Sequence, residues 1–259
     1  MSSRPWDRAS ALPAPPNVRR RIEIVALASG TPSLADLFTF MRDAELRFET
    51  LRLRIEDRVV GSRGEQLTTI DTTVRHPAWA RVTTSQPGQG LTGNYDVWIS
   101  DGETVRTYSA QHRVGTRRPV RHATVGLDDP DLPGRSAVYP PLTPLPMQSL
   151  PDTFVHPAGF CQNVLATGEC RVSGTDVVAG REAVVVQCDH PRATQVSADR
   201  PDHRLVVAVD RATGIITRLL ETAADAVTRD AEAVHLETDR PLPGSAFDFE
   251  FPAGTTTIY

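Results

Sequence analysis

The side chains that invite a chemical reading first are His156, Cys161, Cys170, Cys188 and His190, which carry the nitrogen and sulfur donors that zinc prefers. Their spacing argues against a metal. Cys161 and Cys170 stand as Cys-x8-Cys, Cys188 and His190 as Cys-x-His, and no Cys-x-x-Cys occurs. A serine nucleophile is not signalled either, because Gly134-Arg135-Ser136-Ala137-Val138 lacks the second glycine of a nucleophile elbow. There is no GxGxxG and no GxxxxGK[ST] to cradle a phosphate. The carboxylates fall in turns, such as Asp101 and Asp210, or on strand faces turned to solvent, such as Glu56 and Glu221. The sequence therefore implies no enzyme, no cofactor and no metal, and the search turns to binding.

Composition narrows what is bound. The net charge is -4, from 28 basic and 32 acidic residues, so general nucleic-acid binding is not expected. Every basic residue is Arg. The most basic stretch, Gln111 to His122, reads as a solvated edge or loop, with contact to an acidic partner, lipid headgroup or nucleic acid as the sharper alternative. No apolar run approaches the roughly 18 residues of a membrane span. Arg19-Arg20-Arg21 followed by a short apolar run containing Glu23 is a poor export signal, so the expectation is a cytoplasmic protein. Three cysteines, an odd number, argue against a secreted disulfide framework. Cys170 and Cys188 would still lie close across a hairpin, either bridged or as two small buried apolar side chains.

The elements that would position a binding site are mostly strands. Cys170 to Glu221 reads as two hairpins, one turning at Val178-Ala179-Gly180-Arg181 and the next at Asp210-Arg211-Ala212-Thr213-Gly214. Leu205 to Val209 is apolar on both faces, which predicts cover on both sides. Residues 1–32 read as a flexible arm ending in a short strand near Ile22 to Ala28. Ser33 then caps a helix whose stripe is Leu34, Leu37, Phe38, Met41 and Phe48, either core or a lid over a cavity. Strands follow at Leu51 to Ile55, Leu67 to Val74, Ala78 to Thr84, Tyr95 to Ile99 and Val105 to Tyr108, an antiparallel meander. Gln86 to Gly93 reads as a glycine-rich loop. A proline-rich excursion spans 126–151, with prolines at 130, 133, 140, 141, 144, 146 and 151. Asp152 to Ala166 suggests a second helix, weakened by Pro157 and Gly159. Thr222 to Asp230 reads as a polar turn or short helix, and Ala233 to Thr238 as a strand. Phe247-Asp248-Phe249-Glu250-Phe251 reads as a strand whose three Phe side chains share one face.

A helix, then an antiparallel run containing VWISDGETVRTY, a second helix, and then VAGREAVVVQ, DRATGIITRLLE and FDFEFPAGTTTIY together resemble the LolA-like superfamily. That group holds lipoprotein carriers, lipid-binding lipoproteins and the N-terminal domain of a periplasmic sigma-factor regulator. The resemblance covers roughly residues 33–259 and implies one domain of the α+β class. Its expected form is a curved, half-open antiparallel β-sheet, an incomplete barrel, with helices plugging the concave face. It implies a cavity between sheet and helices for a lipid, an acylated group or another hydrophobic ligand. The alternative is a regulatory or scaffold protein that binds another protein. The residues expected to line such a cavity are Phe38, Met41, Leu53, Ile55, Trp79, Val97 and Ile99.

Overall fold

The structure, a computed structural model, describes residues 27–62, 64–86, 94–120, 141–189 and 202–258. Expectations about the N-terminal arm, most of the glycine-rich loop, the excursion before residue 141, His190 and Ser136 lie outside the described residues.

Twelve strands form one sheet in the order β12-β6-β5-β4-β3-β2-β1-β11-β10-β9-β8-β7. In chain order they are β1 (Thr50–Gly61), β2 (Gly64–Arg75), β3 (Trp79–Ser85), β4 (Tyr95–Asp101), β5 (Thr104–Ser109) and β6 (Val114–Pro119). The second half holds β7 (Glu169–Val178), β8 (Arg181–Asp189), β9 (His203–Asp210), β10 (Ile216–Ala223), β11 (Ala226–Thr238) and β12 (Thr256–Ile258). Neighbours pair antiparallel except β12, which joins β6 in parallel. The long pairing of β1 with β11 joins the two halves. Half of the basic stretch is strand β6, whose Arg117 and Arg118 are exposed, and Arg121 and His122 lie outside the described residues.

The sheet curls. Adjacent strands sit about 4.8 Å apart, so β7 and β11, with three strands between them, would be roughly 19 Å apart on a flat sheet. Cα pairs of β7 and β11 instead come within 8 Å. Register shifts at Arg54/Ile55, Val172/Gly174 and Glu221/Thr222 mark the bulges that permit such bending. The β9–β10 turn closes as its sequence predicts: Asp210 accepts from the Thr213 N–H at 2.8 Å, and Gly214 adopts φ 83°.

Helices cover the concave face. In α1 (Leu34–Arg42), the Ser33 hydroxyl accepts from the Asp36 N–H at 3.1 Å, the expected N-cap. The expected second helix is two: α2 (Leu150–Val155) and α3 (Pro157–Asn163), broken where Pro157 lacks an N–H to continue α2. A 3-10 turn, Leu165–Thr167, ends the run. Leu37 and Met41 of α1, Phe154 of α2 and Cys161 of α3 join Leu53, Ile55, Val186, Val207 and Leu219 in the principal core. The stripe of α1 is therefore core and not a lid.

Two expectations are corrected. Thr222 to Asp230, read as a polar turn or a short helix, is a turn only at its centre. It is the meeting of β10 and β11 through a tight turn at Ala224 and Asp225, which both carry positive φ. The segment Phe247 to Phe251 is not a ladder strand. Phe247 closes a 3-10 turn, Gly244–Phe247, and the rest runs as an extended strap over the convex face. The alternation still operates, because Phe249 and Phe251 both pack on Val97, Ile99 and Tyr108.

Candidate functional site

A cavity of about 1250 Å³ lies between the concave sheet face and the α2–α3 pair. Ligand pockets commonly enclose about 300–1,000 Å³, so this one has room for a sizeable molecule. Its floor is built by strand parity. Ile70 lies opposite Thr84, Val82 opposite Trp98 and Trp98 opposite Thr107, so these side chains share one face of four adjacent strands. Leu219 of β10 extends the floor, and Leu150, Phe160 and Val164 form the helical wall. The rim carries Met147, whose side chain is 85% exposed, in the turn before α2.

Polar groups border this apolar interior. Asp96, Asp152, Glu221 and Arg229 reach the lining, and the Arg229 guanidinium is held by Asp57 through bonds of 2.8 and 2.9 Å. His156 caps both short helices and joins them to α1's end: its Nδ1 lies 2.9 Å from the Asp152 carboxylate, its Nε2 3.4 Å from that of Glu45. Burial pushes the Glu45 carboxyl above its ordinary range, and the nearby His156 pulls it back. Glu45 also accepts the Leu142 N–H at 2.8 Å, fixing the chain that leads to the rim. His76, pushed down to about 4 chiefly by burial, sits 2.7 Å from the Thr143 hydroxyl. These groups hold the α2–α3 wall in place. Among the described residues no group of three His, Cys, Asp or Glu side chains could hold a metal ion. All three cysteines are free thiols.

The seven residues expected at the cavity are scattered. Val97 contributes to the lining, although it packs with Ile99 in the separate cluster under the C-terminal strap. Met41, Leu53 and Ile55 are sealed in the principal core, away from the open space. Trp79 sits on the convex side, 5.7 Å from the Phe247 ring. Phe38 lines a smaller depression between α1 and α3, of about 240 Å³. On β4 the reason is parity: Ile99 turns to the strap side, whereas Trp98 beside it faces the cavity. The helical wall was legible only as the weak second helix expected over Asp152 to Ala166.

No family model matches the sequence, and no curated protein matches it. Solved structures do match the fold. MucB in the MucA/MucB complex of Pseudomonas aeruginosa is 17% identical, with 83% of this chain and 60% of that one covered at a TM-score of 0.46. The LolA superfamily protein NE2245 from Nitrosomonas europaea is 8% identical, with 84% and 98% covered at 0.35. A putative outer membrane lipoprotein-sorting protein domain from Vibrio parahaemolyticus is 10% identical, with 82% and 95% covered at 0.31. The cytoplasmic expectation is corrected on this point. Solved structures that match this fold include a putative outer membrane lipoprotein-sorting domain and MucB bound to MucA(peri), which conflicts with that expectation. The structure, an open, mostly antiparallel sheet with few helices, matches those of a LolA superfamily protein, of a lipoprotein-sorting domain and of MucB.

Proposed function

We propose that this chain is a non-catalytic binding protein that houses a lipid, an acylated group or another apolar ligand between its sheet and the α2–α3 pair. The observation that carries this reading is the cavity itself, whose floor is Ile70, Val82, Trp98 and Leu219 and whose wall is Leu150 and Phe160. Each methylene buried there contributes about 0.8 kcal/mol, so chain length sets affinity and the polar border sets orientation. The test is titration with a fluorescent fatty-acid analogue against Thr84→Trp, which places an indole on the floor at a half-buried position. Excluding two methylenes costs about 1.6 kcal/mol, which predicts at least roughly tenfold weaker binding at unchanged melting temperature. Equal binding by both proteins refutes the assignment.

A second reading, a protein that regulates or scaffolds a protein partner, draws on Val59, Val60 and Val227. They are exposed where β1 and β11 run beyond the core, Val59 and Val60 on opposite faces of β1. Changing Val60 and Val227 to Ser would then abolish capture of a specific partner while leaving probe binding intact.

A further inference from the structure

We propose that Cys170 and Cys188 form a redox-active dithiol that closes to a cross-strand disulfide, stapling the edge strand β7 to β8. The pairing register sets the two residues directly opposite each other. Opposed residues of an antiparallel pair have Cα atoms about 4.5–5.5 Å apart, inside the roughly 4.4–6.8 Å that a disulfide spans. The side chains already meet. The neighbouring Cys188 thiol and burial hold the Cys170 thiol above its ordinary range. Both also reach the Leu165 carbonyl, Cys170 at 3.0 Å and Cys188 at 3.6 Å.

Access and competition favour this pair. Cys170 is half-buried and open to a small reagent, whereas Cys188 is buried behind it. The third thiol, Cys161, is buried against Met41 Sδ at 3.6 Å and is closed to a reagent. The position also gives the bond a consequence. β7 ends the sheet and has β8 as its one strand neighbour among the described residues. A bulge at Val172/Gly174 interrupts that ladder a few residues from Cys170. An edge strand of this kind is held by a single ladder, and a covalent link at its start opposes fraying.

The oxidant is a small-molecule disulfide such as oxidised glutathione. A thiolate of the pair attacks one of its sulfurs, forming a mixed disulfide at Cys170 and releasing one glutathione thiolate. The Cys188 sulfur then attacks Cys170 Sγ and expels the second glutathione. Two protein thiols are oxidised to one disulfide, and one glutathione disulfide is reduced to two thiols. Excess glutathione or a dithiol reverses both steps.

The test uses the full chain equilibrated with oxidised and reduced glutathione, quenched in acid, unfolded and alkylated. The expected intact mass after oxidation carries one alkyl group, on Cys161, and a peptide map links Cys170 to Cys188. Cys188→Ser is expected to stop at the mixed disulfide on Cys170. Hydrogen exchange of the β7 amides is expected to slow in the oxidised wild type, and to return to the original rate on reduction. Alkylation of all three cysteines at every glutathione ratio, a bridge that includes Cys161, or a stable mixed disulfide in the wild type would each overturn the proposal.

Discussion

Replacing Asp210 with Ala removes a side chain that holds the β9–β10 turn and its neighbour β8 together. Its carboxylate is 1% exposed and takes both prongs of Arg181, at 2.7 and 3.0 Å. It also accepts from the Thr213 N–H at 2.8 Å and the Thr213 hydroxyl at 2.6 Å. Deleting one partner of a buried pair costs about 3–5 kcal/mol. The Arg181 side chain is 27% exposed and regains some hydration, which moves the expectation to the lower end, about 3 kcal/mol. Thr213 has no such escape, since it is buried and its N–H and hydroxyl both lose the one carboxylate oxygen that accepts from them. Asp210→Asn keeps an oxygen for Thr213 and loses the charge, so it is expected to cost about half as much. The assay is urea unfolding followed by circular dichroism, with the slope checked for constancy so that the midpoint reports stability. A loss below about 1 kcal/mol for Asp210→Ala would refute the reasoning, because buried acceptors cannot be removed that cheaply where their donors stay buried.

Other consequences follow from the same geometry. His76 has its pKa lowered from 6.5 to about 4, so folding favours its neutral form. That contribution, about 3 kcal/mol, is complete above pH 6.5 and is lost as pH falls through 6.5 towards 4. His76→Asn should flatten the acid limb of a stability-versus-pH curve measured by urea midpoints. Gly214→Ala would place a Cβ 2.9 Å from the Phe40 carbonyl oxygen at φ +83°, and a loss of more than about 1 kcal/mol is expected on thermal unfolding. Trp98 faces the cavity whereas Trp79 packs on the convex side. Tryptophan emission should therefore respond to an added fatty acid in the wild type and in Trp79→Phe, and lose that response in Trp98→Phe.

The parts of the fold that were legible are those in which a local residue type dictates a backbone state. Ser33 announced α1 because its hydroxyl replaces a missing helical acceptor, and the hairpin after Val209 was announced by Asp210 and Gly214. The turn at Ala224 and Asp225 was legible only as a polar turn or short helix somewhere in Thr222 to Asp230, because neither residue is the glycine that positive φ favours. The break at Pro157 was visible as a weakness of one helix, yet not as the joint that His156 fastens to Glu45 and Asp152. The cavity floor was hidden for a different reason. Alternation along β4 separates Val97 and Ile99 from Trp98, and it cannot tell which set faces the helices when both faces are covered. Here the strap bearing Phe249 and Phe251 covers the convex face, so the more apolar set, Val97 and Ile99, turns to the strap, and Trp98, flanked by Asp96 and Ser100, turns to the helices. That cover comes from residues far along the chain, and no window around β4 contains it.

The measurement that tests the binding account most directly is native mass spectrometry of the full chain, purified without detergent, before and after addition of a long-chain fatty acid. The account predicts a discrete added mass that extracts as an acyl lipid, or stoichiometric uptake of the added fatty acid that Thr84→Trp reduces. A folded wild-type protein that carries no adduct and takes up none would contradict it.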